Sequence, residues 1–261
     1  MLNSRIVSAL GALLMCCVSG HALADRLPGS TVFIGRADAV IAAQRERGEL
    51  LPVSDPRVRA LVATANEKTV FGGAAASAQD FAEVNDVLQR TVTIVGAYAM
   101  AGTDARDPGA AKPGQAESIL QNMRKYDDVM SPMLAFAFTC SGHFASTLAA
   151  MAPGAQGPDR ARMMAAIQQY RQSASHMFTG LLMMMPRDTQ QSAAHHIQLV
   201  TAAGDAAPAV AESLTPAMRR DLYFKAVRAA AFADAAEAGA FEKMKQAFAG
   251  TACVGLCAYG E

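Results

Sequence analysis

The stretch MMAAIQQYRQSASHMFTGLLMM, residues 163–184, decides the fold class of this chain. Apolar side chains recur through it at alternating spacings of four and three residues, and a similar series runs from Phe81 to Tyr98. This spacing follows the 3.6-residue period of an α-helix and places the apolar side chains on one face. The members of the 163–184 series are Met163, Ile167, Tyr170, Ala174, Met177, Leu181 and Met184. The pattern predicts an all-α protein built from amphipathic helices.

Glycine and proline set the predicted boundaries of the helices in the N-terminal half. The apolar run at 31–34 is the one strand candidate near the N-terminus, and a helix is predicted over 36–47. Ser77 and Asp80 resemble a capping box and predict the start of the helix that carries the Phe81 to Tyr98 series. The Ser131–Pro132 pair predicts the start of a new helix after one over 115–130. The loop-forming stretch near 102–114 marks a possible subdomain boundary.

In the C-terminal half, Gly204 and Pro208 predict the end of a helix that covers 188–201. Thr215 and Pro216 then begin a last long helix that extends to about Ala249. In total, about seven helices are predicted, joined mostly by short turns. Short turns favour antiparallel neighbours, so we expect a multi-helix bundle.

Residues 1–24 have the pattern of a cleaved secretory signal peptide. Arg5 supplies a positive charge, 6–18 is an uncharged apolar run, and Ala22-Leu23-Ala24 gives the small-x-small cleavage site. The apolar run is shorter than the roughly 20 residues that a membrane span needs. Cleavage after Ala24 is therefore predicted, and an uncleaved membrane anchor is the alternative.

The mature chain, 25–261, has 261 − 24 = 237 residues, which is enough for a single helical domain. Arg5 is the one charged residue in the signal, which leaves 23 − 1 = 22 basic residues against 23 acidic ones. This balance gives no electrostatic footprint for nucleic acid. The nearly uncharged helix at 133–152 is long enough to span a membrane, but His143 and its Ser and Thr neighbours favour a helix inside a soluble protein. No integral span is expected in the mature chain.

Three cysteines remain after cleavage, and an oxidising compartment favours one disulfide among them. Cys253 and Cys257 are separated by three residues in a glycine-punctuated tail, so we predict that these two are bonded. Cys140 is then expected to be a buried free thiol.

Soft side chains suggest a second hypothesis, a copper or haem site. Cys140 and His143 lie three residues apart on one predicted helix face, and Met183 lies two turns from His176. His195 and His196 are adjacent and therefore project about 100° apart on a helix. A structural explanation competes at each position: a core thiol, core methionines, and histidines that are hydrogen-bonded to nearby groups. For His143 the expected partners are Thr139, Ser146 or Thr147.

Sequence motifs for catalysis or covalent cofactor attachment are missing from the chain. The sequence contains no Cys-x-x-Cys-His, Gly-x-Ser-x-Gly, His-Glu-x-x-His or P-loop pattern. The leading hypothesis is therefore a periplasmic or secreted, non-enzymatic interaction or structural protein of the cell envelope without a cofactor. Its partner would be another protein or a second copy of the chain. The soft-metal or haem-binding protein is the alternative, and an enzyme that uses Cys140 and His143 is third.

Overall fold

The computed structural model describes residues 27–73, 77–102, 115–184 and 192–260. Throughout these four ranges the regular structure is helical, without a strand, so the all-α prediction is confirmed. Three 3₁₀ turns, at 78–80, 152–154 and 258–260, accompany ten α-helices. The α-helices are α1 Ser30–Arg47, α2 Pro56–Thr64, α3 Glu67–Val70, α4 Phe81–Ala99, α5 Gln115–Lys125, α6 Asp127–Met151, α7 Gly157–Met184, α8 Ala193–Ala211, α9 Pro216–Ala230 and α10 Ala238–Ala249.

The central element is α6, which packs against α4 on one side and against α8 on another. Helix α10 covers α8, and α9 packs on both α10 and α7. All ten helices contribute to one connected cluster of buried apolar side chains. Within the described ranges, the segment Asp127–Gly154 is the single helix long and apolar enough to cross a membrane. The core helix of a soluble protein meets the same criterion, and 67% of the most apolar part of this segment is buried inside the protein.

The apolar face predicted for α7 is the face that packs on the core. Ile167, Tyr170, Ala174 and Leu181 are buried, and the three methionines of the series are partly buried against the same cluster. Two predicted helix starts are also confirmed. Ser77 and Asp80 form a reciprocal capping box before α4, and the Thr215 side chain accepts a hydrogen bond from the Met218 N–H at the start of α9.

The first helix begins at Ser30, so the strand candidate at 31–34 is wrong. Phe33, Ala37 and Val40 are all buried, and their spacing continues one helical face through the apolar run. A short run of four apolar residues did not distinguish a strand from the first turn of a helix.

The boundary predicted at Ser131 is displaced by five residues. The chain breaks at Tyr126, and Pro132 lies in the second turn of α6, where its missing N–H removes one bond, to the Asp128 carbonyl. A tertiary contact anchors α5 just before the break: the Asn122 amide donates to the carbonyls of Ala99 and Ala101 at the end of α4, at 2.9 and 2.8 Å.

The two predictions for the C-terminal half are also corrected. α8 runs through Gly204 and Pro208 without interruption. Gly204 lies where α8 contacts Ala240 of α10, so this glycine permits close packing of two helices rather than ending one. The helix predicted over 215–249 is two helices separated at 231–237. This division, together with the single-turn α3, accounts for part of the difference between about seven helices and ten.

The tail after α10 returns to the body of the protein. The sulfur atoms of Cys253 and Cys257 lie at bonding distance, as the disulfide prediction requires. Buried Arg171 on α7 donates to the Ser213, Leu256 and Cys257 carbonyls at 2.6, 3.2 and 3.1 Å. These bonds hold the tail loop against α7. Residues 1–24 and 103–114 lie outside the described residues, and with them lie the predicted signal peptide and nearly all of the possible subdomain boundary.

Candidate functional site

Cys140 is fully buried in α6 and is a free thiol, as expected. Burial raises the pKa of Cys140 well above its usual range, against the opposing effect of a hydrogen bond with Thr91. A nucleophilic or metal-binding cysteine needs its thiolate, which this environment disfavours. The geometry therefore favours a core thiol at this position.

His143 pairs with a residue that sequence reasoning did not consider. Its Nε2 lies 2.7 Å from the Glu67 Oε1, and its ring stacks on Phe71 with 4.1 Å between centroids. The expected partners Thr139, Ser146 and Thr147 instead bond backbone carbonyls of their own helix. The short helix α3 brings Glu67 and Phe71 to α6, beside an open groove of about 570 Å³ between α6 and α8.

Replacing His143 with glutamine is expected to lower the free energy of unfolding by about 1–2 kcal/mol, because the ring stacking and the Glu67 bond are both lost or weakened. Glu67 is half-exposed, so water can replace its partner and the fold should survive. Urea unfolding of the variant, of Glu67→Gln and of the double variant measures the coupling between the two side chains. A glutamine variant of wild-type stability that loses a micromolar Cu(I) or Zn(II) site would instead support the metal hypothesis.

His195 and His196 also pair with carboxylates. His195 Nδ1 lies 2.7 Å from the Asp127 Oδ2, and His196 Nδ1 bonds the buried Glu237. Partial burial acts to raise the pKa of Asp127, but hydrogen bonds from Ser131, His195 and the Ser192 N–H lower it below its usual value. These pairs join the start of α8 to the start of α6 and to the turn before α10.

The six predicted soft-metal ligands are distributed over three helices: α6, α7 and α8. Among the described His, Cys, Asp and Glu side chains, one group of three could share an ion, and it joins His195 to Asp127 and Asp128. All three offer hard or borderline ligands, and Asp127 is already hydrogen-bonded. His176 borders a cavity, and Met183 is partly buried on the same helix. The soft-metal site from these six residues stays a prediction.

The cavity beside His176 is one of two features that the sequence did not reveal. It has a volume of about 100 Å³ and lies among α4, α5, α6, α7 and α8. Met123, Met130, Met177 and Met184 border it together with aliphatic side chains and Phe138. Met177, Gly180 and Met184 on its border are only partly buried, so the cavity is reachable from the surface. An apolar space among five helices that a small molecule can reach from outside is a candidate binding site.

The second feature is an exposed apolar surface on α9 and the turn that follows it, here called the α9 face and made of Phe224, Val227 and Phe232 with Arg220 and Arg228. The three apolar side chains are 48%, 43% and 62% exposed. The opposite side of α9 buries Leu222, Ala226 and Ala229. Positions 224 and 227 follow a helical spacing out of phase with these buried residues, so the sequence alone could have identified a second apolar side of α9 but not that this side stays exposed.

Comparison with known protein families, curated proteins and solved structures finds no match for this chain.

Proposed function

We propose that this protein is exported through the signal peptide at 1–24 and acts as a non-enzymatic helical bundle that binds another protein in the cell envelope. The observation that carries the proposal is the α9 face. Phe224 and Val227 lie three residues apart on the outward side of α9, a spacing that makes side chains neighbours on a helix surface. Exposed apolar surfaces of this kind commonly mark contacts with a partner.

The charges around the α9 face indicate the chemistry of that partner. Arg220 lies over the Phe224 ring, with 5.9 Å from Cζ to the ring centroid. Arg228 is exposed, and neither guanidinium forms a salt bridge with a residue in the described ranges. Arginines flanking exposed aromatic rings are typical of interface centres, where they bind carboxylates on the other side. The partner we propose has an apolar centre bordered by acidic groups.

The histidines and the cysteines support a structural rather than a catalytic interior. Three of the four mature histidines pair with Glu67, Asp127 or Glu237 across helix boundaries. Each pair joins two elements that are far apart in sequence, which is a stabilising role. The Cys253–Cys257 pair is compatible with an oxidising compartment.

The test places a photoreactive phenylalanine analogue at Val227 of the full-length protein in the host cell, with Arg59 on α2 as the matched exposed control position. N-terminal sequencing of the exported protein is expected to begin Asp-Arg-Leu-Pro. Irradiation should give crosslinked adducts of defined mass with the partner protein from position 227 but not from position 59. Arg220→Glu with Arg228→Glu should remove these adducts without loss of helix content. Export with Met1 retained would overturn the signal peptide, and identical adduct patterns from the two positions would overturn the interaction surface.

A further inference from the structure

The cavity bordered by the four methionines has walls that do not suit water. Apart from His176, the side chains that border it are apolar. A water molecule needs two to four polar partners to be stable in a protein interior, so a cavity with such walls favours an apolar guest. An apolar cavity of about 150 Å³ stays dry and takes up benzene, so a cavity of about 100 Å³ with adaptable walls suits a guest of this class.

The composition of the wall is also unlike that of a tightly packed core. Met123 and Met130 are buried, whereas Met177 and Met184 are only partly buried at the same cavity. Methionine side chains are unbranched and adapt to the shape of a guest more readily than leucine or isoleucine. Gly180 and Ala137 also border the cavity, where larger side chains would fill it.

We infer that this cavity is a binding site for a small uncharged apolar molecule, of the size of benzene to indole, with at most one hydrogen-bonding group. The adaptable thioether chains of Met177 and Met184 separate the guest from solvent and move aside as it enters. A hydroxyl or ring N–H on the guest faces the His176 imidazole, the one titratable side chain among the described residues that border the cavity. A charged guest is excluded because the apolar wall offers no compensation for its lost hydration. The cavity is also too small for a haem. This site is independent of the α9 face, so either proposal can fail without the other.

The test uses mature protein labelled with ¹³C at the methionine methyl groups and titrated with benzene, phenol and indole. Saturable shifts are expected at Met123, Met130, Met177 and Met184, while Met218 and Met244, which do not border the cavity, stay unchanged. Phenol and indole should also shift the ring signals of His176, and benzene should raise Tm without doing so. The absence of saturable shifts with all three probes would overturn the proposal.

A variant that fills the cavity provides the second arm. Ala137→Leu should weaken binding of indole by about tenfold or more, because the added atoms occupy the space of the guest. Ala165→Leu, at an exposed position of α7, is the matched control and should leave the affinity unchanged. If Ala137→Leu does not fold, the wild-type methyl shifts still decide the question. Titration with Cu(I) tests the competing hypothesis. A soft-metal site would be shown if Cu(I) binds at micromolar concentration and perturbs the same four methyl groups while the three apolar probes give no response.

Discussion

Replacing Arg171 with methionine is expected to lower the free energy of unfolding by about 3–5 kcal/mol, because the buried Ser213, Leu256 and Cys257 carbonyls lose a charged donor. Arg171 is 6% exposed, and its guanidinium connects α7 both to the turn after α8 and to the disulfide loop. Methionine keeps much of the side-chain length but donates no hydrogen bond. The loss would be a large fraction of the roughly 5–15 kcal/mol that stabilises a typical domain.

Urea unfolding monitored by circular dichroism measures this loss, with the disulfide kept oxidised. Arg162→Met is the matched control, because Arg162 lies on the same helix and forms an exposed ion pair with Asp159. That change should alter the free energy of unfolding by no more than about 0.5 kcal/mol. Limited proteolysis should also cut the tail of the Arg171 variant before the rest of the chain. A variant as stable as the Arg162 control would show that the tail contacts contribute little.

Replacing Gly204 with alanine is expected to lower the free energy of unfolding by about 1–3 kcal/mol, although alanine is the better helix former. A Cβ added at Gly204 would lie 2.9 Å from the Cα, the Cβ and the carbonyl oxygen of Ala240. Two of these three atoms belong to the backbone of α10, so the contact is relieved only if one helix moves. The two helices pack along much of their length, and a shift would disturb other core contacts.

Gly35→Ala on α1 is the control with the opposite expected sign. A Cβ at Gly35 meets no atom within 4 Å, so this change should raise the free energy of unfolding by about 0.5–1 kcal/mol through helix propensity alone. Differential scanning calorimetry of both variants compares the two signs directly. Adding Ala240→Gly to the Gly204 variant should recover part of the loss, because it removes one of the three close atoms. An increase in stability for Gly204→Ala would show that close packing against Ala240 does not limit the residue at position 204.

Local sequence signals predicted helices and caps well where one physical effect dominated. The 163–184 series gave α7 and its buried face, and Ser77, Asp80 and Thr215 marked helix starts because their side chains bond N–H groups three residues away. Proline and glycine were less reliable as predictors of helix ends. Pro132, Gly204 and Pro208 lie inside helices, since packing of α6 and α8 against their neighbours outweighs the hydrogen bond that each proline loses and the lower helix propensity of glycine.

The candidate sites depended much more on contacts between distant parts of the chain. From residue types alone, the histidines were predicted to join Cys140 and Met183 as ligands of a soft metal. The structure pairs His143 with Glu67, 76 positions away, and His195 with Asp127, 68 positions away. No spacing in the sequence encodes these pairs, because they arise only when α3, α6 and α8 pack together.

The sequence by itself determined the helical class, the buried face of α7 and the proximity of Cys253 to Cys257. Each of these follows from neighbours within a few turns of chain, where backbone geometry fixes which side chains meet. The tertiary structure decided where α6 begins, why α8 needs Gly204, and which carbonyls Arg171 binds. It also created the cavity beside His176 and left the α9 face exposed. A void and an uncovered surface are properties of how whole helices fit together, and close packing between elements is set by the shape of all the side chains at once rather than by any local pattern.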